Sequence, residues 1–352
     1  MIPKPPWNPR FCVWEITLAC NMKCVHCGSF AGRPREDELD TKEALGVVAS
    51  LAAIGCRSIT LSGGEPLLRD DWPVLVKAIH SAGMRPELVT NGIAVSSQAD
   101  DIAKAGFFAV SFSIDGPSDI HDELRVSPGA TELLLKGAGE LKSRGVRLGA
   151  VTQVNRRNLD RLEETYDLLL EHEFEGWQVQ LTLPYGRAAD ADESFCLSPE
   201  ELPVLEKKIL EMTTRGPLFI QAADTIGYMS RGEPKLRAGY PGRAQIWAGC
   251  QAGLQVIGIT SDGTIRGCLS MPPHFDEDNV RVRPLEEIWN TPNAFAYNRK
   301  FSVDDLDGNC APCAFHRVCR GGCTSLAYTI TGKIGHNPYC LRRIAEQGEE
   351  SE

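Results

Sequence analysis

Residues 11–27 read FCVWEITLACNMKCVHC. Cys12 to Thr17 is a short apolar run with the composition of a β-strand. Just past it, Cys20, Cys24 and Cys27 fall within eight positions. The three thiols therefore sit on a loop at the carboxyl end of a strand, the place where active sites gather in parallel α/β proteins. Structural zinc normally takes four protein ligands, and no fourth cysteine lies close by. His26 could complete a Cys3His set, although its neighbour Cys27 makes shared ligation of one ion awkward. A four-iron cluster on three thiolates leaves one iron without a protein ligand, the open position that a catalytic site needs. A zinc knuckle, or three unrelated buried thiols, is the plain alternative.

Outward from this stretch, β-branched apolar runs alternate with segments of helical period as far as residue 224. Further strands are expected at Ser58 to Leu61, Glu87 to Thr90, Phe107 to Ile114, Val146 to Val154 and Trp177 to Leu183. Helices are expected at Thr41 to Ile54, Trp72 to Ala82, Ala130 to Ser143, Asn158 to His172 and Pro199 to Thr213. DTKEAL at 40–45 and SPEEL at 198–202 are helix starts with an N-cap residue and early acids. The alternation reads as βα units around a parallel sheet, closed or partly closed into a barrel. After residue 225 the texture changes. SRGEPKLRAGYPGRAQ (230–245) is a loop-rich bridge, LQVIGITSDGTIRGCLS carries a hairpin signal around SDG, and LEEIWNTPNAFAYNRKF is helical in period. The expected organisation is a barrel over 1–224, a bridge over 225–249 and a cysteine-rich domain over 250–352.

Composition limits the function. With 352 residues, 42% apolar and 24% charged, the chain can bury a sizeable core. A net charge of −10 with scattered basic residues argues against nucleic acid as a partner. The start, MIPKPPWNPRFCVWE, has no signal-peptide stretch, and no apolar run is long enough to span a bilayer, so a cytoplasmic protein is expected. Thirteen cysteines in a reducing compartment point to metal rather than to disulfides. Cys12, Cys56 and Cys196 stand apart from the rest and read as ordinary thiols.

LSGGEPLLRDDW (61–72) follows the second strand; its glycines allow close approach to the backbone, and Glu65 sets a carboxylate beside them. Together with the thiols this stretch resembles the radical S-adenosylmethionine (SAM) superfamily, whose hallmark is C-x3-C-x2-C after the first strand and a GGE-type motif after the second. The resemblance implies a partial (β/α)6, TIM-like barrel. It implies that Cys20, Cys24 and Cys27 hold a four-iron, four-sulfur cluster whose fourth iron is chelated by SAM. Gly63, Gly64 and Glu65 would receive the SAM ammonium. One-electron cleavage of SAM would give a 5′-deoxyadenosyl radical that takes a hydrogen atom from substrate. VTNG (89–92), SFSIDGP (111–117) and HDELR (121–125) match further motifs and point to Ser113 and Arg125 as SAM contacts. Asn91 and Asp115 are candidates that could equally be turn residues at strand ends.

The seven later cysteines read C250-x12-G263-x4-C268, C310-x2-C313-x5-C319-x3-C323 and C340. Alone, the middle run could be a zinc site. The whole resembles the SPASM extension of radical SAM proteins, which implies two auxiliary clusters and three clusters in all. Cys250, Cys268 and Cys323 would bind the first, four-iron or alternatively two-iron, and Cys310, Cys313, Cys319 and Cys340 the second. GRAQIWAG (242–249) lacks the eighth cysteine of some relatives, so the first auxiliary cluster is expected to be open or to have a non-cysteine ligand. The SPASM group is best known for modifying ribosomal peptides, so a peptide oxidation or crosslink is the first expectation and a sugar, alcohol or other small metabolite the alternative. Leu269 stands where sulfatase maturases carry an aspartate, which disfavours that branch. Cys20 comes early for a leader-recognition domain, so a peptide substrate would call for a separate recognition protein or for direct capture by the barrel and bridge. Gln178, Gln180, Tyr185 and Arg187 are candidate substrate or SAM contacts, with strand-surface and turn roles as the plain alternative. A flavodoxin- or ferredoxin-like reductant is expected.

Overall fold

The computed structural model describes residues 7–192, 194–238 and 246–349. Its centre is a ten-stranded sheet, ordered β10-β9-β8-β1-β2-β3-β4-β5-β6-β7. The first seven strands are β1 Phe11–Thr17, β2 Ser58–Gly63, β3 Arg85–Thr90, β4 Ala109–Ser113, β5 Leu148–Val154, β6 Gly176–Leu181 and β7 Phe219–Ala222. Each is parallel to the next, and β7 and β10 remain as open edges, so the barrel is partial. The intervening helices are α1 Thr41–Ala53, α2 Trp72–Ser81, α3 Val95–Ala105, α4 Ser118–Arg125, α5 Ala130–Ser143, α6 Leu162–Glu171 and α7 Leu202–Met212. Trp14, Ile16, Val110, Phe112, Trp177 and Val179 are buried in one core with the apolar stripes of these helices. A parallel sheet needs that cover, because its crossovers return across a face.

The expected helix starts are present. Asp40 closes a capping box with Glu43 at α1, and Ser198 closes one with Glu201 ahead of α7. Three elements were not foreseen. The helix α3 carries just three buried residues, Val95, Ala99 and Ile102, and α4 has eight residues, so both have weak periodic signals. Strand β7 is four residues long with alternating exposure and pairs parallel to β6, adding a seventh strand to the expected six.

Beyond the bridge, which contains the short helix α8 Glu233–Leu236, the hairpin strands β8 Val256–Ile259 and β9 Thr264–Arg266 pair antiparallel around SDG. The strand β10 Asp278–Asn279 follows. Phe11 to Trp14 of β1 pair with Val256 to Ile259 of β8, in parallel, so the cysteine-rich segment shares a sheet with the barrel. LEEIWNTPNAFAYNRKF, expected as one helix, forms two: α9 Leu285–Asn290 and α10 Ala296–Arg299. Pro292 disfavours helical backbone at Thr291, and Phe295 turns through a positive φ of 53°. Part of the bridge, 239–245, lies outside the described residues. No helix among the described residues is long and apolar enough to cross a membrane.

Candidate functional site

The loop carrying Cys20, Cys24 and Cys27 leaves β1 at the carboxyl edge of the sheet and is held by partners distant in sequence. The Cys20 N–H donates to Gly32 O (3.0 Å) and the Val25 N–H to Leu124 O (3.0 Å). Arg187 donates from Nε to Cys24 O (2.8 Å), from Nη1 to Ala31 O (2.9 Å) and from its backbone N–H to Cys27 O (2.9 Å). Two N–H groups reach toward sulfur: Asn91 Nδ2 lies 3.9 Å from Cys20 Sγ and Arg125 Nη1 lies 3.7 Å from Cys24 Sγ. Burial pushes Cys20 up to about 11 and raises Cys24 as well, with neighbouring thiols adding to it. Such thiols ionise readily when a metal takes the charge. Among the described residues no three Cys, His, Asp or Glu side chains converge on a point as a single ion requires. Three thiols on one loop are a donor set that an iron-sulfur cluster can use, with one iron left open.

The glycines of the GGE stretch make room for this loop. A Cβ on Gly63 would lie 2.2 Å from Thr17 O, and one on Gly64 would lie 2.1 Å from Ala19 O. Glu65 is fully buried and accepts from Leu67 N (3.1 Å), Thr90 Oγ1 (2.8 Å) and Asn91 N (2.7 Å). Burial raises its carboxyl to about 7, against those hydrogen bonds. A carboxylate has about four lone-pair sites, so one further donor can be accepted.

Asp115, at the end of β4 and also fully buried, is the hub beneath the cysteine loop. Its Oδ2 lies 2.7 Å from Arg125 Nε and 3.1 Å from His26 Nε2, and its Oδ1 accepts from Gln153 N (3.0 Å). Burial pushes its carboxyl up, but Arg125 and then His26 outweigh this and leave it well below the usual range. His26 is thereby directed at Asp115, a role the sequence reading did not assign. Arg125 spends Nε on Asp115 and Nη1 on Cys24, and Nη2 has no partner among the described residues, so it can still take a carboxylate. Ser113 ends β4 half-buried. The Asn91 amide is tied to Asn21 Oδ1 (2.7 Å) as well as facing Cys20.

Gln178 and Gln180 lie on the face of β6 opposite the buried Trp177, Val179 and Leu181. Tyr185 packs against the cysteine loop at Gly28, where a Cβ would meet its hydroxyl at 2.5 Å. Burial raises this phenol, a bond with Ser270 opposes it, and Cys268 and Cys27 add their charge. Tyr185 therefore stands between the first cysteine loop and the C-terminal cysteines. Arg187 braces the loop, as described, and also borders a cleft of about 520 Å³ with Lys23, Arg156 and Arg157.

The later cysteines fall into two groups. Burial and the charges of Cys250 and Cys268 raise Cys323, and Cys250 likewise raises Cys268. Cys319 senses Cys340, Cys310 and Cys313 instead. No disulfide joins any of the thirteen cysteines. Cys12 and Cys56 are buried neighbours in the core, and Cys196 is half-buried beside Arg156. One acidic residue near the first group escaped the sequence reading. Asp224 follows β7, and a carboxylate at the carboxyl end of a parallel strand would have been noticed had that short strand been recognised.

Residues 14–169 match the family described as the Radical SAM superfamily, and residues 250–314 match an iron-sulfur cluster-binding domain, SPASM. The chain is 31% identical over 346 residues to a protein named AdoMet-dependent heme synthase from Methanosarcina barkeri, covering 95% of this chain and 97% of that one. It is 29% identical over 336 residues to a PqqA peptide cyclase from Ruegeria pomeroyi, covering 93% and 86%. The fold resembles that of Streptococcus suis SuiB bound to S-adenosylmethionine, with a TM-score of 0.73 at 17% identity over 95% of this chain and 76% of that one. Thiols in three groups, the GGE brace and these matches converge on one conclusion: the chain belongs to the radical SAM superfamily and carries a C-terminal SPASM iron-sulfur domain.

Proposed function

We propose that this radical SAM enzyme oxidises a carboxylate-bearing tetrapyrrole on the way to a heme. The observation that carries the reading is the similarity to a heme synthase over nearly the whole of both chains. The cleft beside the first cysteine loop supports it. Four cations, Lys23, Arg156, Arg157 and Arg187, border it against Asp190 and Asp192, in a chain whose net charge is −10. Arg156 and Arg157 are held by Glu201 and Glu123, while Lys23 has no ion-pair partner among the described residues. These cations and carboxylates balance, and Lys23 is the cation left to hold an anionic group of a ligand.

In this reading Cys20, Cys24 and Cys27 hold a four-iron, four-sulfur cluster with SAM on its open iron. The bound pair supplies hydrogen-atom abstraction from substrate. Arg125 takes the SAM carboxylate through its spare Nη2, Asp115 holds Arg125 in place, and Glu65 with Gly63 and Gly64 receives the ammonium. Ser113 and Asn91 complete the cradle. Gln178, Gln180 and Tyr185 line the approach to substrate, and Arg187 fixes the loop. Cys250, Cys268 and Cys323 hold the first auxiliary cluster and Cys310, Cys313, Cys319 and Cys340 the second, giving three clusters suited to one-electron transfer. A flavodoxin- or ferredoxin-like reductant in the cytoplasm would supply the starting electron.

A peptide substrate is the second reading, supported by the similarity to a PqqA peptide cyclase. Anaerobic turnover with an iron porphyrin bearing deuterated propionate side chains separates the two. Deuterium should appear in 5′-deoxyadenosine. SAM cleavage without deuterium transfer would refute the tetrapyrrole reading, and transfer from a labelled precursor peptide instead would establish the second.

A further inference from the structure

We propose that the amino end of the sheet's uncovered face is a carboxylate subsite for the substrate, with Arg85 and Arg147 as its anion-binding side chains. This subsite rests on the tetrapyrrole reading above, whose substrate carries carboxylates that need cationic partners.

The pleat sets the two arginines on one face. Trp14, Ile59, Trp177 and Ile220 mark the face of the sheet that is buried under the helices. Alternate residues point the other way. That opposite face carries Phe11 at the start of β1, Arg85 at the start of β3 and Phe219 at the start of β7, each exposed. Phe11 and Arg85 are joined across the sheet through Ser58, which pairs with both. Arg147 immediately precedes β5, where half-buried Gly149 and Val151 alternate with buried Leu148 and Ala150, so it falls on the face of Gly149 and Val151. Gln178 and Gln180 continue the same face of the sheet toward the carboxyl end of β6.

Both guanidinium groups are held in place and left without a counter-ion. Each lies against the ring of Phe108, Arg85 at 4.8 Å and Arg147 at 5.0 Å from its centroid, so one ring fixes two like charges close together. Neither side chain has an ion pair or a hydrogen bond among the described residues, and both are exposed. The carboxylates at hand are engaged elsewhere. Glu87, two residues beyond Arg85 on the same face, accepts from Ser58 Oγ (2.8 Å) and Thr60 Oγ1 (3.2 Å). Glu175, whose N–H donates to Leu148 O (2.9 Å), pairs with Lys142 Nζ (3.4 Å). Two free guanidinium forks match two carboxylates bidentately. Apolar surface accompanies them, with Phe11 45% exposed and Phe219 37% exposed on the first and last of the seven parallel strands. Exposed rings and unpaired cations on one uncovered face suit a flat apolar ligand with anionic edges, which is the chemistry of a tetrapyrrole carrying carboxylate side chains.

The test is an absorbance titration of the anaerobically reconstituted full chain with an iron porphyrin bearing free propionates and, separately, with its propionate esters. Wild type should bind the free acid more tightly than the ester. Arg85→Ala and Arg147→Ala should each weaken binding of the free acid by at least about tenfold and leave binding of the ester within about twofold. Arg57→Ala removes the same charge just ahead of β2, where the alternation sets it with Ile59 on the opposite face, and should leave both affinities unchanged. Unchanged affinity for the free acid in both Arg85→Ala and Arg147→Ala, an equal loss for the ester, or an equal loss in Arg57→Ala would overturn the subsite while leaving the tetrapyrrole reading in place. Absence of saturable binding to wild type would overturn both.

Discussion

Replacing Asp115 by Asn keeps the shape of the hub beneath the cysteine loop and removes its charge. Arg125, its side chain 10% exposed, is then left without its 2.7 Å carboxylate partner. Opposite charges about 4 Å apart attract by roughly 4 kcal/mol at an effective dielectric near 20. Removal of one partner from a buried pair costs about 3–5 kcal/mol, so the two routes agree. Asp115→Asn should therefore lower stability by about 3–5 kcal/mol, and Arg125→Met by a similar amount. The double variant should cost at least about 1 kcal/mol less than the sum, because neither buried charge is then orphaned. Anaerobic urea unfolding of the reconstituted chain, followed by tryptophan fluorescence, measures all three. A loss below about 1 kcal/mol for Asp115→Asn, or additivity within about 0.5 kcal/mol, would refute the argument. The folded carboxyl is held well below the unfolded value, so the hub's contribution is fully present above about pH 4 and is lost as pH falls.

Cys24→Ala should abolish SAM cleavage, measured as 5′-deoxyadenosine released under dithionite; retained cleavage would count against the first cluster assignment. Cys313→Ala should lower iron by about one cluster while partly sparing uncoupled SAM cleavage, and an unchanged iron content would remove the second auxiliary assignment. Gly64→Ala sets a Cβ 2.1 Å from Ala19 O and 2.6 Å from Leu18 O, so the backbone just ahead of Cys20 must shift. The iron of the first site should fall while that of the C-terminal sites persists; full retention at the first site would show that the loop tolerates the displacement.

Six barrel strands and five helices were legible because their apolar residues repeat locally. Strand β7, helix α3 and helix α4 were not, because each is short or buries few apolar groups. The break between α9 and α10 could have been read from Pro292, whose effect on its neighbour is local. Arg187 was seen as a candidate for substrate, and its bonds to the cysteine loop, 163 positions away at Cys24 O, carry no local signature.

From the sequence alone come the cysteine spacings, the GGE stretch and the alternation of strands and helices, since each is a pattern of neighbours along the chain. The tertiary structure decided what those patterns do to one another. It turned His26 toward Asp115, gave Gly63 and Gly64 the task of admitting the backbone of residues 17–19, and joined β8 to the edge of β1. It also brought Asp224 to Cys323 across a single tyrosine. These pairings depend on packing and hydrogen bonds between segments as much as 245 residues apart, as at Phe11 and Val256, and periodicity along the chain does not encode them.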